Sequence, residues 1–447
     1  MLIMLYSHDS YGLGHIRRSL EIAKCLSENI PNASLVVLTG SMQAHAYALP
    51  DRTEYIKLPA LTKNAEGHYC SRLLPHPVHI TLGLRKKIIL ESLRDLKPDI
   101  FLVDKAPAGI KGELLPALRY CKTFLPQTKL VLGMRDIEDH PDHVRAEWSK
   151  SGIVPLLENT YHSIFLYGTR SVYDPVKEYG LSSRIEKKMV SCGYIGRSQP
   201  MRPPESIRKE LKLRTDRLVL VTPGGGDDGY AIVDTYIQML TKKFGSGRPE
   251  FDSLVVTGPL MSPNKRHTLQ QAASSDLALT VTDFTPQLYD YLNAADLVVA
   301  MGGYNTVVEI LTANQRAVII PRVHPRVEQH IRAERLAAKG LIDMIHPAEL
   351  NPDGLFDVIN HSLQRPRPSR PQDMGIELNG AVNVSNAIEQ LHRNGVKQRL
   401  QSSLKALVQH LHPGRTMNVG VVRGTGSTNA RPRPKELSPV LYPKPAL

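Results

Sequence analysis

The sequence predicts an α/β protein built from two doubly wound parallel sheets, and three observations predict it. Short apolar runs of β-type alternate with longer stretches of helical spacing along most of the 447 residues. Most of these runs lead through a loop into a helix, the connectivity of a parallel sheet covered on both faces. The alternation breaks once, at SCGYIGRSQPMRPPES (191–206), where Gly, Pro and Arg replace the periodic pattern as in a linker, and then it starts again.

The first half reads in order as LIMLY, a Gly-containing loop, the helical HIRRSLEIAKCLSE, SLVVLT, the helix-and-strand run LRKKIILESLRDLKPDIFLVD, GELLPALRYC, KLVLGM, HVRAEWSKSGIVPLLE and SIFLYG. The second half reads RLVLVTPGGGDDG, a helix, SLVVTG, a helix, LALTV, TPQLYDYLNAAD, LVVAMGG, a helix, AVIIP and a further helix. The expected domains are 1–193 and 194–365, then a helix within 366–395 and a basic Pro/Gly-rich tail, 396–447, without a fixed fold.

Composition narrows the function classes. With 41% hydrophobic and 22% charged residues, a packed core is expected. The four cysteines (25, 70, 121, 192) form no C-x-x-C pair and read as thiols of a reducing compartment. The N-terminus lacks a basic start and a long apolar region, and no apolar run approaches the ~18 residues of a membrane span, so the expected location is the cytoplasm. The net charge is +13, but from Val396 onward nine Lys and Arg face one acid, Glu436. Only about +5 belongs to the rest, so a charge argument for nucleic acid rests on the tail.

Open parallel sheets bind ligands at the carboxyl ends of strands. Three loops there are unusual. In SHDSYGLGHIRR, Gly12 and Gly14 permit a tight turn, and His15 stands at a helix start, where a neutral imidazole suits a general base. Arg17 and Arg18 follow one turn on, placed to meet an anion. The alternative is a plain strand-to-helix turn. The dinucleotide fingerprint is incomplete. In TPGGGDDGY, Gly224, Gly225 and Gly226 expose N–H groups that suit an anion nest, yet no Lys-Ser or Lys-Thr follows as in a P-loop. In MGGYNTVVEIL, Gly302 and Gly303 leave the main chain approachable, and a helix start offers free N–H groups to a diphosphate. The spacing Thr306-x-x-Glu309 fits a capping box; a carboxylate there also suits a ribose diol.

Further along, Glu328-Gln329 opens a helix after IIPRVHPRV, a pair able to hold several sugar hydroxyls or simply an acidic helix start. RDIEDHPDH brings His140 and His143 among acids, a pattern that looks metal-like. Pro141 and the spacing favour a solvated loop entering a helix. Arg135 and Asp136 directly follow the strand KLVLGM, which places them in a cleft.

Together these motifs resemble GT-B glycosyltransferases, especially family 28. GLGHIRRS is similar to the family's first Gly-rich loop, TPGGGDDG to the Gly loop opening its C-terminal domain, and VTDFTPQLYDYLNAADLVVAMGGYNTVVEILTANQRAVIIPR with RVEQHIRAERLAAKGL to its donor-binding core. With MRDI, the set looks closer still to a bacterial branch of glycosyltransferases. The likeness spans about 1–393. It implies two Rossmann-like domains facing across a cleft. It implies a nucleotide-sugar donor, most simply UDP-linked, bound by Gly302, Gly303 and Thr306 at the diphosphate, Gly224 and Gly225 at phosphate or sugar, Asn305 also on the donor side, Phe284 and Thr285 at the base, Glu309 at the ribose, Glu328 and Gln329 at the sugar, and Arg197 reaching in from the interdomain segment. His15 is the implied catalyst, with Gly12, Gly14, Arg18, Arg135 and Asp136 on the acceptor side. No metal or cofactor is implied. The family's Ser in the second Gly loop is replaced here by Gly226 or Asp227. The acceptor is unidentified, with a lipid-linked one and peripheral contact of the tail with an anionic inner membrane face compatible with the likeness. Specific nucleic acid is not expected. Two competing readings remain: a nucleotide-sugar 2-epimerase or hydrolase on the same fold, and a non-enzymatic RNA- or anionic-membrane-binding protein acting through its tail.

Overall fold

A computed structural model describes residues 1–8, 14–64, 68–197, 202–226, 228–245, 247–273, 276–285 and 287–411. Two parallel sheets carry the architecture. The first holds β1 (Leu2–Ser7), β2 (Ser34–Thr39), β3 (Thr53–Lys57), β6 (Ile100–Asp104), β7 (Lys129–Arg135), β8 (Ser163–Tyr167) and β9 (Met189–Ser191), in the spatial order 3-2-1-6-7-8-9. A small antiparallel hairpin, β4 (Leu61–Lys63) and β5 (Tyr69–Ser71), stands apart from it. The second sheet holds β10 (Leu218–Thr222), β11 (Asp252–Val256), β12 (Leu279–Thr282), β13 (Leu297–Ala300), β14 (Ala317–Ile319) and β15 (Asp343–Met344), in the order 12-11-10-13-14-15.

The central strands β1, β6, β8, β10, β11 and β13 are buried almost throughout, as strands covered on both faces must be. Each sheet reverses its strand order once. In the first sheet the reversal lies between β1 and β6, in the second between β10 and β13. The loops leaving those strands diverge there and open a crevice. That rule alone singles out Ser7, His8 and His15 beside Asp104, and Pro223–Gly226 beside Met301–Gly303.

The two halves share one apolar core. Ile3 and Leu5 of the first sheet and Leu220 and Val298 of the second belong to the same buried cluster, joined through Tyr194 and Tyr304. Residues Met1–Gly395 form one compact unit, and Val396–Leu447 a second. After the second sheet the chain returns to the first half. Tyr194 N–H donates to the Glu377 carbonyl, and Asn383 Nδ2 donates to the Cys192 carbonyl. The final helix runs from Gly380 to Leu411 and so crosses residue 396, where the second compact unit begins. The sequence from 396 to 411 keeps good helix formers and no Gly or Pro, which is why the helix continues. The Pro/Gly-rich part of the expected tail, 412–447, lies outside the described residues, as does Gly12.

A buried ion pair ties the halves across this core. Arg332, on the Glu328–Ala337 helix, donates through Nε and Nη2 to the two carboxylate oxygens of Asp136, at 2.9 and 2.7 Å. Both side chains are fully buried. The third guanidinium nitrogen, Nη1, donates to the Gly302 carbonyl at 2.9 Å, and Tyr194 adds its hydroxyl to Asp136 at 3.2 Å. Asp136 was expected on the acceptor side. It is instead enclosed and fully engaged, so it holds the interface and offers nothing to a ligand. Removing one partner leaves a charge stranded in the core, which typically costs about 3–5 kcal/mol. Arg332→Ala is therefore expected to lower unfolding stability in denaturant by about 3–5 kcal/mol. Replacing both partners by apolar residues of similar volume, Asp136→Leu with Arg332→Met, should recover most of it. A single variant as stable as the parent would show that the pair carries no weight.

Candidate functional site

The crevices of the two sheets face one another, and two helix starts converge between them. One helix begins at Gly14 and the other at Tyr304. Asn305 Nδ2 donates to the Gly14 carbonyl at 3.1 Å and fixes the meeting. A cavity of about 790 Å3 opens alongside, lined among others by Arg17, Arg72, Arg197, Phe284, Asn305 and Glu309. That volume is typical of a site that takes a cofactor-sized ligand.

On the first-half side the central group is His15. Its Nδ1 lies 2.6 Å from Asp104 Oδ2, at the end of β6. Arg18 donates through Nε and Nη2 to the same carboxylate, at 2.9 and 2.8 Å. Burial pushes the Asp104 pKa up, but the Arg18 charge and the hydrogen bonds from His15 and Arg18 outweigh it and hold the carboxyl well below its usual range. Asp104 is thus an anion facing Nδ1; Arg18 Nη2 also lies 2.9 Å from Nδ1, and because that guanidinium is bonded to the carboxylate, the Nδ1–H tautomer, with Nε2 unprotonated, is the one that satisfies the charge. For His15, burial dominates and drives the imidazole down to about 4, against the hydrogen bond and charge of Asp104. What favours the neutral imidazole is therefore burial and not the helix start: desolvation outweighs its carboxylate partner. Arg18, expected to face an acceptor, is 4% exposed and holds Asp104, with its guanidinium carbon 5.4 Å from the centre of the Tyr304 ring.

Two neighbours were not anticipated. His8 sits with its ring centre 5.4 Å from that of His15, edge to face, and its buried Nδ1 has no partner among the described residues. Lys105 follows Asp104 with a left-handed backbone (φ 64), a conformation that strains a residue bearing a side chain. Burial, then the nearby Arg135, bring its ammonium down to about 8. Its nitrogen lies 3.6 Å from Glu138, which Arg135 also approaches at 3.8 Å. Arg135 therefore does stand beside the reversal point, paired with Glu138.

On the second-half side, the Tyr304–Thr312 helix is capped by Gly303, which supplies no side-chain cap. Thr306 is thus inside the helix and Glu309 lies in its second turn. The capping-box reading fails because the helix starts earlier than the spacing suggests. The 5% exposed Glu309 instead receives Arg17 Nη2 at 2.6 Å and Arg197 Nε at 3.0 Å, both on Oε1. Gly302 is needed for packing: a Cβ there would stand 2.9 Å from the Gln329 carbonyl oxygen, and its own carbonyl is taken by Arg332. Space around the Gly303 Cα is open, so the helix start itself is approachable.

The loop after β10 is partly closed on itself. Gly224 N–H donates to Thr222 Oγ1 at 3.3 Å, and the Gly225 carbonyl accepts from Leu260 N–H at 2.9 Å. Gly226 has φ 94, and a Cβ there would strike the Thr257 carbonyl. This loop is thus less free to form an anion nest than three consecutive glycines suggest. It packs toward Thr306, whose hydroxyl lies 3.5 Å from where a Gly224 Cβ would be. Phe284 is half exposed on the cavity wall, while Thr285 Oγ1 accepts from Gln287 N–H. Glu328 takes Arg322 Nη2 on Oε1 at 2.7 Å and keeps a buried Oε2 without a partner among the described residues. Gln329 Oε1 accepts the Arg322 N–H at 3.1 Å. The pair thus flanks the Arg322 loop with one carboxylate oxygen unused.

His140 and His143 do not assemble a metal site. His140 caps the Pro141–Ser151 helix through Asp142 N–H, and His143 pairs with Asp139 at 2.8 Å. Among the described residues no three His, Cys, Asp or Glu side chains are grouped to hold a metal ion.

His15 supplies the sharpest test of this geometry. Its folded-state pKa lies below that of the unfolded chain, so its burial costs nothing above pH ~6.5 and subtracts stability as pH falls from ~6.5 toward 4. Nitrogen-15 NMR of labelled protein is expected to show a neutral, Nδ1-protonated ring from pH 8 down to about 5. A ring titrating near 6.5, or protonated on Nε2, would contradict the arrangement.

Comparison with known proteins agrees with this architecture. Residues 219–390 match the glycosyltransferase family 28 C-terminal domain. The UDP-N-acetylglucosamine--N-acetylmuramyl-(pentapeptide) pyrophosphoryl-undecaprenol N-acetylglucosamine transferase of Aliivibrio fischeri is 31% identical over 302 residues, 64% of this chain and 78% of that protein. The chain spans about half the length, or less, of several other curated relatives it matches, 48%, 48% and 41%. Among solved structures, the glycosyltransferase of kitacinnamycin aligns with a TM-score of 0.58 at 15% identity, covering 87% of this chain and 98% of that one. MurG of Acinetobacter baumannii aligns at 0.50 and 15% identity, covering 89% and 99%. At those identities the structures establish the fold, two Rossmann-like domains in the GT-B arrangement. The length and identity of the Aliivibrio match establish the lineage: the chain belongs to glycosyltransferase family 28.

Proposed function

We propose that the protein moves a sugar from a nucleotide-diphosphate sugar, UDP-linked in the simplest reading, to the hydroxyl of an acceptor. The observation that carries the proposal is the bond from Asn305 to the Gly14 carbonyl, which sets His15, paired with Asp104, and the helix start at Gly303 next to a cavity lined by Asn305 and the buried Glu309. The free N–H groups and partial positive charge of the Tyr304 helix suit a diphosphate at Gly303. Glu309, six residues further along, suits the ribose hydroxyls, with the base against Phe284. The unused Oε2 of Glu328 suits a hydroxyl of the transferred sugar.

The chemistry follows from these positions. His15 Nε2 takes the proton of the acceptor hydroxyl, and its oxygen attacks the anomeric carbon. The bond from that carbon to the diphosphate breaks, and the electron pair leaves on the diphosphate. Positive charge grows on the imidazole and is stabilised by Asp104, whose carboxylate is already in place. Negative charge grows at the Tyr304 helix start, where the N–H groups are fixed before the reaction begins.

An acceptor presented at a lipid surface fits one further feature. Arg72 lines the cavity, and the chain leaves it directly into Leu73 and Leu74, 71% and 41% exposed. Ile80 and Leu84, 51% and 44% exposed, share one face of the Val78–Leu96 helix. Lys86 and Lys87 follow. Exposed aliphatic residues beside cations suit an anionic membrane surface. No helix among the described residues is long and apolar enough to cross a membrane.

Two experiments test this reading. Release of nucleoside diphosphate should depend on added acceptor. His15→Ala should retain nucleotide binding and lose most of the turnover, by a factor on the order of 10²–10⁴, and Glu309→Ala should bind nucleotide more weakly. Diphosphate release independent of acceptor favours a hydrolase or epimerase on the same fold, and full turnover by His15→Ala removes its role as base. In flotation assays the protein should follow anionic but not zwitterionic vesicles, and Ile80→Ser with Leu84→Ser should abolish this. Equal flotation of the double variant counts against the surface.

A further inference from the structure

Glu309 is held by more positive charge than a ribose site needs. Arg17 reaches it from the Gly14–Asn29 helix and Arg197 from the segment crossing between the halves. Both guanidiniums end on the same oxygen, Oε1. The Glu309 side chain is 6% exposed, those of Arg17 and Arg197 25% and 21%. All three line the cavity, and Arg197 also lies over the Tyr289 ring at 5.3 Å.

This arrangement conflicts with ribose binding unless something moves. A vicinal diol donates two hydrogen bonds to a carboxylate and competes with both guanidiniums for Oε1. When they yield, two partly buried cations lose their partner, and a stranded buried charge is costly. A neutral nucleoside brings nothing to replace it. A nucleoside diphosphate brings its own anion, in the same cavity. From Glu309 to the helix start at Gly303 is six residues, about 9 Å of helix. That is within the swing of arginine side chains, whose planar fork matches phosphate oxygens.

We propose that Arg17 and Arg197 form a charge-exchange latch, resting on Glu309 in the empty cavity and passing to the diphosphate when the ribose takes Glu309. The latch rests on the nucleotide-binding reading above and adds what that reading lacks, a device that rejects nucleosides and favours diphosphates. Because Arg17 comes from the first half and Glu309 from the second, the exchange also makes both halves sense the same ligand. A purely structural role, with the arginines simply steadying Glu309, predicts the opposite pattern: their loss would then weaken nucleoside and diphosphate alike.

Calorimetry separates the two. The intact chain, Arg17→Gln and Arg197→Gln are each titrated with uridine, UMP and UDP, and with guanosine, GMP and GDP. The intact chain should bind the diphosphate of one series at least tenfold more tightly than its nucleoside. Each glutamine variant should lose tenfold or more for that diphosphate, and bind the nucleoside as well as before or better, since Glu309 is then less contested. Equal losses for nucleoside and diphosphate overturn the latch and leave the nucleotide site standing. An intact chain that binds no diphosphate of either series overturns the nucleotide reading itself. Both arginines are partly exposed, and melting temperatures of the two variants confirm that each is folded when titrated.

Discussion

The start of an α-helix leaves backbone N–H groups without partners, and two such starts meet in this molecule at the junction of its halves. Almost every other feature of the site serves that meeting. The reversal of strand order between β1 and β6 delivers the Gly14 helix, and the reversal between β10 and β13 delivers the Tyr304 helix. Asn305 bonded to the Gly14 carbonyl sets their separation. Packing of Gly302 against the Gln329 main chain sets how the second helix enters. The result is a helix start left open at Gly303, with His15 on the side of the first half and Glu309 further along the helix.

Buried ion pairs keep that geometry rigid. Asp136–Arg332 joins the halves beneath the site, and Arg18–Asp104 holds the carboxylate that orients His15. The Tyr304 ring lies between Arg18 and Arg332, 5.4 and 5.7 Å from their guanidinium carbons, and its hydroxyl donates to the Tyr167 carbonyl. One tyrosine at the helix start therefore contacts the support of both His15 and the interface. With a continuous apolar core around it, the junction resembles the interior of a domain more than a hinge between two. Change on ligand binding is then expected in side chains such as Arg17 and Arg197 rather than in a wide opening of the halves.

Much of the fold was legible in the sequence, because alternating strand and helix periods and one Gly/Pro/Arg break are local signals. So were the loops at the two reversals of strand order, since they follow strands and contain glycine. Partners distant in the chain were not. Asp104 lies 89 residues from His15, and Arg332 lies 196 residues from Asp136. Those contacts depend on which strands are neighbours and on how the sheets face each other, which no window of sequence displays. The Asp closing IFLVD was visible at the carboxyl end of a strand; its adjacency to β1 was not. Thr306-x-x-Glu309 misled for a smaller reason. The observed N-cap is Gly303, three residues before the Thr306 that the pattern requires, and a start at Tyr304 turns a capping pair into two interior positions. Asp136 was correctly placed at the cleft-facing end of β7, but the second half covers it.

The central claim is that diphosphate oxygens rest on the N–H groups at the start of the Tyr304 helix. A crystal structure of the intact chain grown with UDP, or with a UDP-sugar, tests it most directly. The account predicts phosphate oxygens within hydrogen-bonding distance of the main-chain nitrogens beginning at Gly303, with the ribose on Glu309. A diphosphate seated elsewhere, for instance against Lys105 and Arg135 with the helix start still bare, would contradict it.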